Sequence, residues 1–393
     1  MKEIAIVGAG QSGLQLAIGL LQHGYHVTLT TDRDAQDILH GHVLSSQCMF
    51  SEALNTERRV NLNLWEKQVP HLNYSEFSYA STVNPEDVHS WKTNLIDFAC
   101  SVDQRLKISS LMDHFVKLGG DLVIKKVSIT HLNQMTLEYD LVIIATGRGL
   151  LANIFPVNFK ETVYTEPQRK LALTYVKPTH RPISDTIRFT KIPDIGEFIT
   201  FPALTLSGEC EIMTFEAIPN GPMDRWKPGM TLLEHLRTSL QVLKKWVPHE
   251  FDHFSAASLT DKEGYFCGAV TPTVRHPVFT LPSGRMVFGM GDALVVNDPI
   301  TGQGSNSAAK CADIYLNSIL NHAGELDRQW MYQTFGEFWD YAQHVVKWTN
   351  SLLEPFTPHM ESLLQRAGQD PEMAHRIANG FDNPRSFSPW WYD

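Results

Sequence analysis

At 393 residues, with 43% hydrophobic and 19% charged side chains, the chain has the profile of a folded protein of two to three domains, not of a disordered or fibrous one. A formal net charge of -10 repels phosphate backbones and argues against a nucleic-acid partner. No apolar run reaches the roughly 18 residues of a membrane span, no leader-like N-terminus is seen, and the five scattered cysteines form no Cys-x-x-Cys pair, so the reading is a cytoplasmic protein without zinc or a disulfide framework.

Residues 3 to 7, Glu-Ile-Ala-Ile-Val, form the apolar, β-branched run that a buried parallel strand needs. Gly8-Ala-Gly10-Gln-Ser-Gly13 follows and opens a helical pattern carried by Leu14, Leu16, Ala17, Leu20 and Leu21, with a second strand expected over His26 to Thr31. Strand, glycine turn, helix and strand thus fall within about thirty residues, the arrangement that binds a dinucleotide. Gly8 allows the tight turn, Gly10 lets the backbone reach a diphosphate, and Gly13 lets the helix pack on the strand with its N-terminus toward phosphate. The acid expected about twenty residues on to hold a ribose is less clean. Asp32 is the candidate for the ribose and Arg33 for the phosphate side, with a solvated loop pair as the alternative. His40 and His42 read as a polar loop, not as a metal pair.

Farther along, Asp140-Leu-Val-Ile-Ile-Ala-Thr-Gly147 is a buried strand ending in the small-residue turn that flavoproteins of the glutathione-reductase type carry beside the cofactor. From Pro156 to Cys267 the pattern changes. Short alternating runs at Lys170 to Val176, Thr186 to Thr190, Glu197 to Phe201 and Cys210 to Phe215 predict an antiparallel sheet, and Leu232 to Trp246 predicts a helix. A strand over Arg285 to Gly289 then runs into Gly-Asp292, a loop, and Asp298-Pro299-Ile-Thr-Gly302-Gln303-Gly304, which opens a helix of small residues. Asp292 is placed to accept hydrogen bonds from a ribityl hydroxyl. The Gly302 to Gly304 turn can bring backbone N–H groups to a flavin ring, and the positive end of the helix would favour an anionic reduced flavin. Beyond Tyr315 the chain is mainly helical, with Met331, Phe335, Phe338, Trp339 and Ala342 spaced as a core stripe.

These elements predict an α/β fold, an FAD-binding Rossmann-like domain of the glutathione-reductase type. The segments 1-62, 98-155 and 268-322 make the cofactor domain, 63-97 and 156-267 an inserted antiparallel-sheet substrate domain, and 323-393 a helical C-terminal region. No second glycine fingerprint for a nicotinamide cofactor is present, so the flavin is expected to arrive already reduced.

Along nearly its whole length the sequence resembles the oxygenase component of two-component styrene and indole monooxygenases. The segments that carry the resemblance are Gly8 to Gly13, Thr31-Asp32-Arg33, Ser101-Val-Asp-Gln-Arg105, Pro167-Gln-Arg169, Asp292 through Gly304, Trp348-Thr-Asn350 and Phe381-Asp-Asn-Pro384. The resemblance implies FAD, a separate NADH-dependent flavin reductase as partner, a homodimer, and epoxidation of an aromatic-substituted alkene through a flavin C4a-hydroperoxide. Ser45, Gln47 and Met49 match the alternate positions that the indole branch carries, where the styrene branch has Asn in place of the Ser. Ser45 or Gln47 would orient an indole N–H and Met49 would offer a polarizable wall. Arg105 would reach the phosphates from the neighbouring helix, or else be a surface helix arginine. His42 stands where members of the family carry Arg, which would weaken FAD binding or make it pH-dependent. No residue is assigned a direct catalytic role. A single-component NAD(P)H-dependent aromatic hydroxylase, and a non-redox flavin-dependent isomerase or cyclase, are the alternatives.

Overall fold

The computed structural model describes residues 2–177 and 183–393. The chain opens with β1 (Glu3–Val7), α1 (Gln11–Gln22) and β2 (His26–Thr31). Two short helices, α2 (Ala35–Leu39) and α3 (Ser51–Arg59), lead to a long hairpin, β3 (Leu72–Ala80) and β4 (Val88–Ala99). The chain returns through α4 (Gln104–Lys117), β5 (Asp121–Ile124), α5 (Ile129–Glu138) and β6 (Leu141–Ile144). It then leaves again for β7 (Lys170–Lys177), β8 (Thr186–Ile192), β9 (Gly196–Thr205) and β10 (Gly208–Ala217), with α6 (Leu232–Trp246) and α7 (Pro248–Phe254) behind them. Six short strands follow: β11 (Ser258–Leu259), β12 (Tyr265–Ala269), β13 (Thr273–Val274), β14 (Val278–Thr280), β15 (Met286–Gly289) and β16 (Val295–Val296). Four helices finish the chain: α8 (Gly304–Leu320), α9 (Arg328–Leu353), α10 (Pro358–Ala367) and α11 (Pro371–Asn379).

The first sheet has the order β14-β15-β6-β1-β2-β5 and is parallel except for β14. Ile4, Ala5, Ile6 and Val7 are all buried because β1 is central and covered on both faces, which is why its sequence is apolar without alternation. The second sheet has the order β11-β7-β10-β9-β8-β3-β4, with β12 also paired to β7. Its pairs are antiparallel except β3 with β8. β10 is buried at nearly every position, so the sheet is covered on both faces there. One face packs Met213 and Phe215 against Leu243 and Trp246 of α6. The other face turns Leu173, Ile199 and Phe201 toward an internal cavity. Strand ends also differ from the segment limits read in the sequence. β4 runs on to Ala99, past the expected boundary at 98, and β12 runs across the boundary at 267, because pairing continues to those residues.

One buried ion pair ties the cofactor layer together. Lys107 of α4 and Glu57 of α3 are both almost fully buried and in direct contact, and Glu57 also accepts from Gln11 Nε2 of α1 at 2.7 Å. Three helices therefore meet on one carboxylate. Lys107→Met strands that carboxylate and is expected to cost about 3–5 kcal/mol in urea unfolding. The double variant Lys107→Met/Glu57→Leu should recover most of the loss.

Candidate functional site

A long groove runs across the C-terminal ends of β1, β2 and β6, where ligands bind in open α/β sheets. Its floor is made by close backbone approach. A Cβ on Gly8, whose φ is +120°, would lie 2.3 Å from the carbonyl oxygen of Ala145, and one on Gly13 would lie 2.0 Å from that of Gly8. Gly10 is different: a Cβ there meets nothing within 4 Å, so its bare Cα faces open groove. Gly147 (φ +59°) also faces open groove, on the opposite wall. Asp32 and Arg33 stand exposed at the outer end, 3.9 Å apart. Lys125 and Lys126, which the sequence reading missed, line the same end because β5 pairs beside β2.

At its inner end the groove meets the cavity of the second sheet. Leu44, Ser45, Arg148, Asp292, Gly304 and Ser305 line both spaces, so groove and cavity are continuous. The loop from Asp298 to Gly304 frames this junction. Asp298 caps it by accepting from the backbone N–H of Ile300 at 3.1 Å, Gly302 adopts the left-handed conformation (φ +63°), and α8 begins at Gly304 with its N-terminus toward the junction. Arg148 follows the Ala-Thr-Gly147 turn directly, which is the signal that could have found it. Burial pushes the Asp292 carboxyl up to about 6, against the opposing pull of the Arg148 guanidinium.

Several expected site residues sit differently from their sequence reading. Met49 lies outside the cavity: it bridges to Cys100, is buried, and its sulfur accepts from Lys107 Nζ at 3.1 Å. There it packs in an apolar cluster with Leu54, Val69 and Val102. Gln47 lines the cavity, but its amide is engaged at both ends, donating to Val102 O at 2.8 Å and accepting from Gln104 Nε2 at 2.9 Å. Arg105 reaches the groove wall, yet two carboxylates hold its guanidinium, Asp103 at 2.7 Å and Asp261 at 2.9 Å. It clamps α4 to the loop between β11 and β12 and keeps little donor capacity for a phosphate. His42, on the groove rim, has Glu263 at 2.5 Å. Gln303 is fully buried with its side chain turned away from the cavity, donating to Phe381 O at 2.8 Å, so only its backbone can serve a cofactor. Pro299 and Gly302 line the cavity.

The residues present fit FAD. Two helix N-termini, α1 and α8, open on one continuous space; bare glycine backbone lines its middle; cations and an acid stand at the adenosine end, and Asp292 and the Gly302 turn at the ring end. Among the described residues no group of His, Cys, Asp and Glu is arranged to hold a metal ion, and no helix is long and apolar enough to cross a membrane.

Comparisons with known proteins agree with this geometry. Residues 147–253 match the family model for the substrate binding domain of styrene monooxygenase A, and residues 2–171 match that for pyridine nucleotide-disulphide oxidoreductases. The chain is 27% identical to styrene monooxygenase StyA of Pseudomonas fluorescens, over 98% of its own length and 93% of the relative's, and equally so to StyA of a Pseudomonas species. Among solved structures, the flavin-dependent brominase Bmp2 superposes with a TM-score of 0.66 at 12% identity, covering 97% of this chain and 93% of that one. A flavoprotein/dehydrogenase from Cytophaga hutchinsonii gives 0.66 at 11% identity, over 97% and 92%. These two share the fold.

The Asp292 carboxyl sets a pH dependence. Raised from 3.8 to about 6, it keeps its proton in the folded chain while the unfolded chain has lost it, so stability falls as pH rises through that window. In the FAD-free protein, Asp292→Asn is expected to be the more stable form above about pH 6, by on the order of 2 kcal/mol. The difference should close below about pH 4 in thermal melts.

Proposed function

We infer that this chain, a flavin-dependent monooxygenase of the styrene monooxygenase type whose cofactor is FAD, is the oxygenase half of a two-component system that epoxidises the ring double bond of indole and accepts styrene-like alkenes. A separate NADH-dependent reductase supplies the FAD in reduced form. The observation that carries this reading is the largely apolar cavity continuous with the flavin-ring end of the groove. Its walls, Leu171, Leu173, Ile187, Phe189, Ile199 and Phe201, suit a small flat aromatic and offer no nucleophile with an attendant base. A single glycine fingerprint, Gly8 to Gly13, leaves nicotinamide chemistry to another protein.

When bound and reduced, the flavin supplies the two electrons that activate oxygen, so that one oxygen atom reaches the alkene and the other leaves as water. The chain's own residues do the rest. The backbone at Gly302 to Gly304 and the N-terminus of α8 favour negative charge on the ring. The apolar sheet face keeps water from the reacting atoms, and Phe381 closes the cavity from the C-terminal side. Ser45, at the junction, is free to orient a substrate, whereas Gln47 is a wall pinned by its own hydrogen bonds.

The test is indole turnover in air with FAD, NADH and an unrelated flavin reductase, reading indigo against a reaction without the reductase. Pigment is expected only with the reductase. Pigment without it would mean the chain reduces its own flavin, and no pigment in either, with FAD bound, would remove indole as a substrate. Within that assay Ser45→Ala is expected to shift the indole-to-styrene preference by severalfold.

A further inference from the structure

A carboxyl group that lines the cavity, Glu216, and its neighbour Asp298 have no part in the scheme above. Glu216 sits near the end of β10, opposite Glu197 of β9, fully buried and facing the same space as Leu171, Leu173 and Ile199. Neither of its oxygens meets a protein donor. Asp298, also buried, uses one oxygen on the Ile300 N–H and leaves the other without a donor. The two carboxyls stand within hydrogen-bonding reach of each other. The nearest cations are already committed: Arg169 and Lys191 both hold Glu197, at 2.7 Å and 2.5 Å.

Two ionised carboxylates cannot share such a site, so one proton is held between them. Burial, with the Asp298 and Glu197 charges adding to it, pushes Glu216 well above the usual carboxylate range, whereas burial takes Asp298 only to about 6. The proton therefore resides on Glu216, whose O–H donates to Asp298. That leaves the Glu216 carbonyl oxygen as an unpaired acceptor in a hydrocarbon wall. An orphaned buried acceptor is costly until a donor reaches it. Thr214, two residues back on the same strand face, also lines the cavity with an unpaired hydroxyl, which marks this side as the polar one.

We propose, resting on the reading that the cavity takes an aromatic alkene, that Glu216 is the specificity-determining anchor of the cavity and accepts a hydrogen bond from the ring N–H of a bicyclic aromatic substrate. A site built to pair with an N–H discriminates against the analogue lacking it, because its own polar group is then left unpaired.

Calorimetric titration of the FAD-loaded protein with indole and with indene, which has CH2 in place of N–H, tests this. Wild type is expected to bind indole about tenfold more tightly. Glu216→Leu should bring the two ligands within about twofold by losing affinity for indole, and Glu216→Gln, whose amide oxygen still accepts, should keep most of the preference. Equal binding by wild type overturns the proposal, and this result does not depend on any variant folding. An undiminished preference in folded Glu216→Leu also overturns it, as does a preference that Ser45→Ala abolishes and Glu216→Leu keeps. Product formation is read separately: the expected binding preference with no oxygenated product from either ligand would sink the proposed reaction and leave the anchor standing.

Discussion

The close packing of α1 on α8 is the constraint on which the site depends. A Cβ on Gly19 of α1 would come within 2.6 Å of Leu316 of α8, and Ala309 and Ala312 are buried where α8 faces inward. Gln15 Nε2 donates across the seam to Ala309 O at 3.2 Å. With the helices this close, both N-termini open on one groove, and the positive ends of two dipoles serve one anionic ligand. The start of the loop after β15 is seated on the same seam, since a Cβ on Gly291 (φ +58°) would lie 2.9 Å from Ser12 Oγ. A bulkier residue at Gly19 would push apart the two ends that must converge.

The C-terminal helices hold the flavin-side loop from behind. Thr301 and Thr349 share a hydroxyl hydrogen bond of 2.8 Å, Gln303 donates to Phe381 O, and Trp348 packs on Phe381 and stacks on Phe387. Asp382 in turn accepts from Ser51 Oγ at 2.5 Å and from the Glu52 backbone N–H at 2.8 Å, tying the tail to α3. The motifs Trp348-Thr349-Asn350 and Phe381 to Pro384, which carried the family resemblance without any chemistry of their own, thus form a buttress. Arg169 extends it by joining Glu197 to Leu353 O.

What could be read from the sequence was what local pattern encodes. β1, the glycine turn and α1 lie where periodicity and the glycines put them, the four alternating runs are β7 to β10, and Leu232 to Trp246 is α6. Residues whose roles depend on distant partners were not legible. The family resemblance set Ser45, Gln47 and Met49 together at the substrate, but Met49 pairs with Cys100 in an isolated bridge and lies outside the cavity that Ser45 and Gln47 line. Arg105 reads as a free cation until Asp261, 156 residues on, is seen to hold it. Glu216 lay one residue past the predicted end of its strand, and its meaning rests on a loop carboxyl 82 positions later that no spacing rule connects to it.

If backbone at two glycine turns, carried on two converging helices, forms the FAD site and leaves the apolar cavity for substrate, a crystal structure of the FAD-bound protein will show it. The diphosphate is expected against Gly10 and the start of α1, the adenosine ribose near Asp32, and the ring at the junction of Arg148, Asp292 and Gly304, with the Glu216 cavity open beside it. A ring lying within the cavity against Glu216, or a diphosphate away from Gly10, would overturn this arrangement.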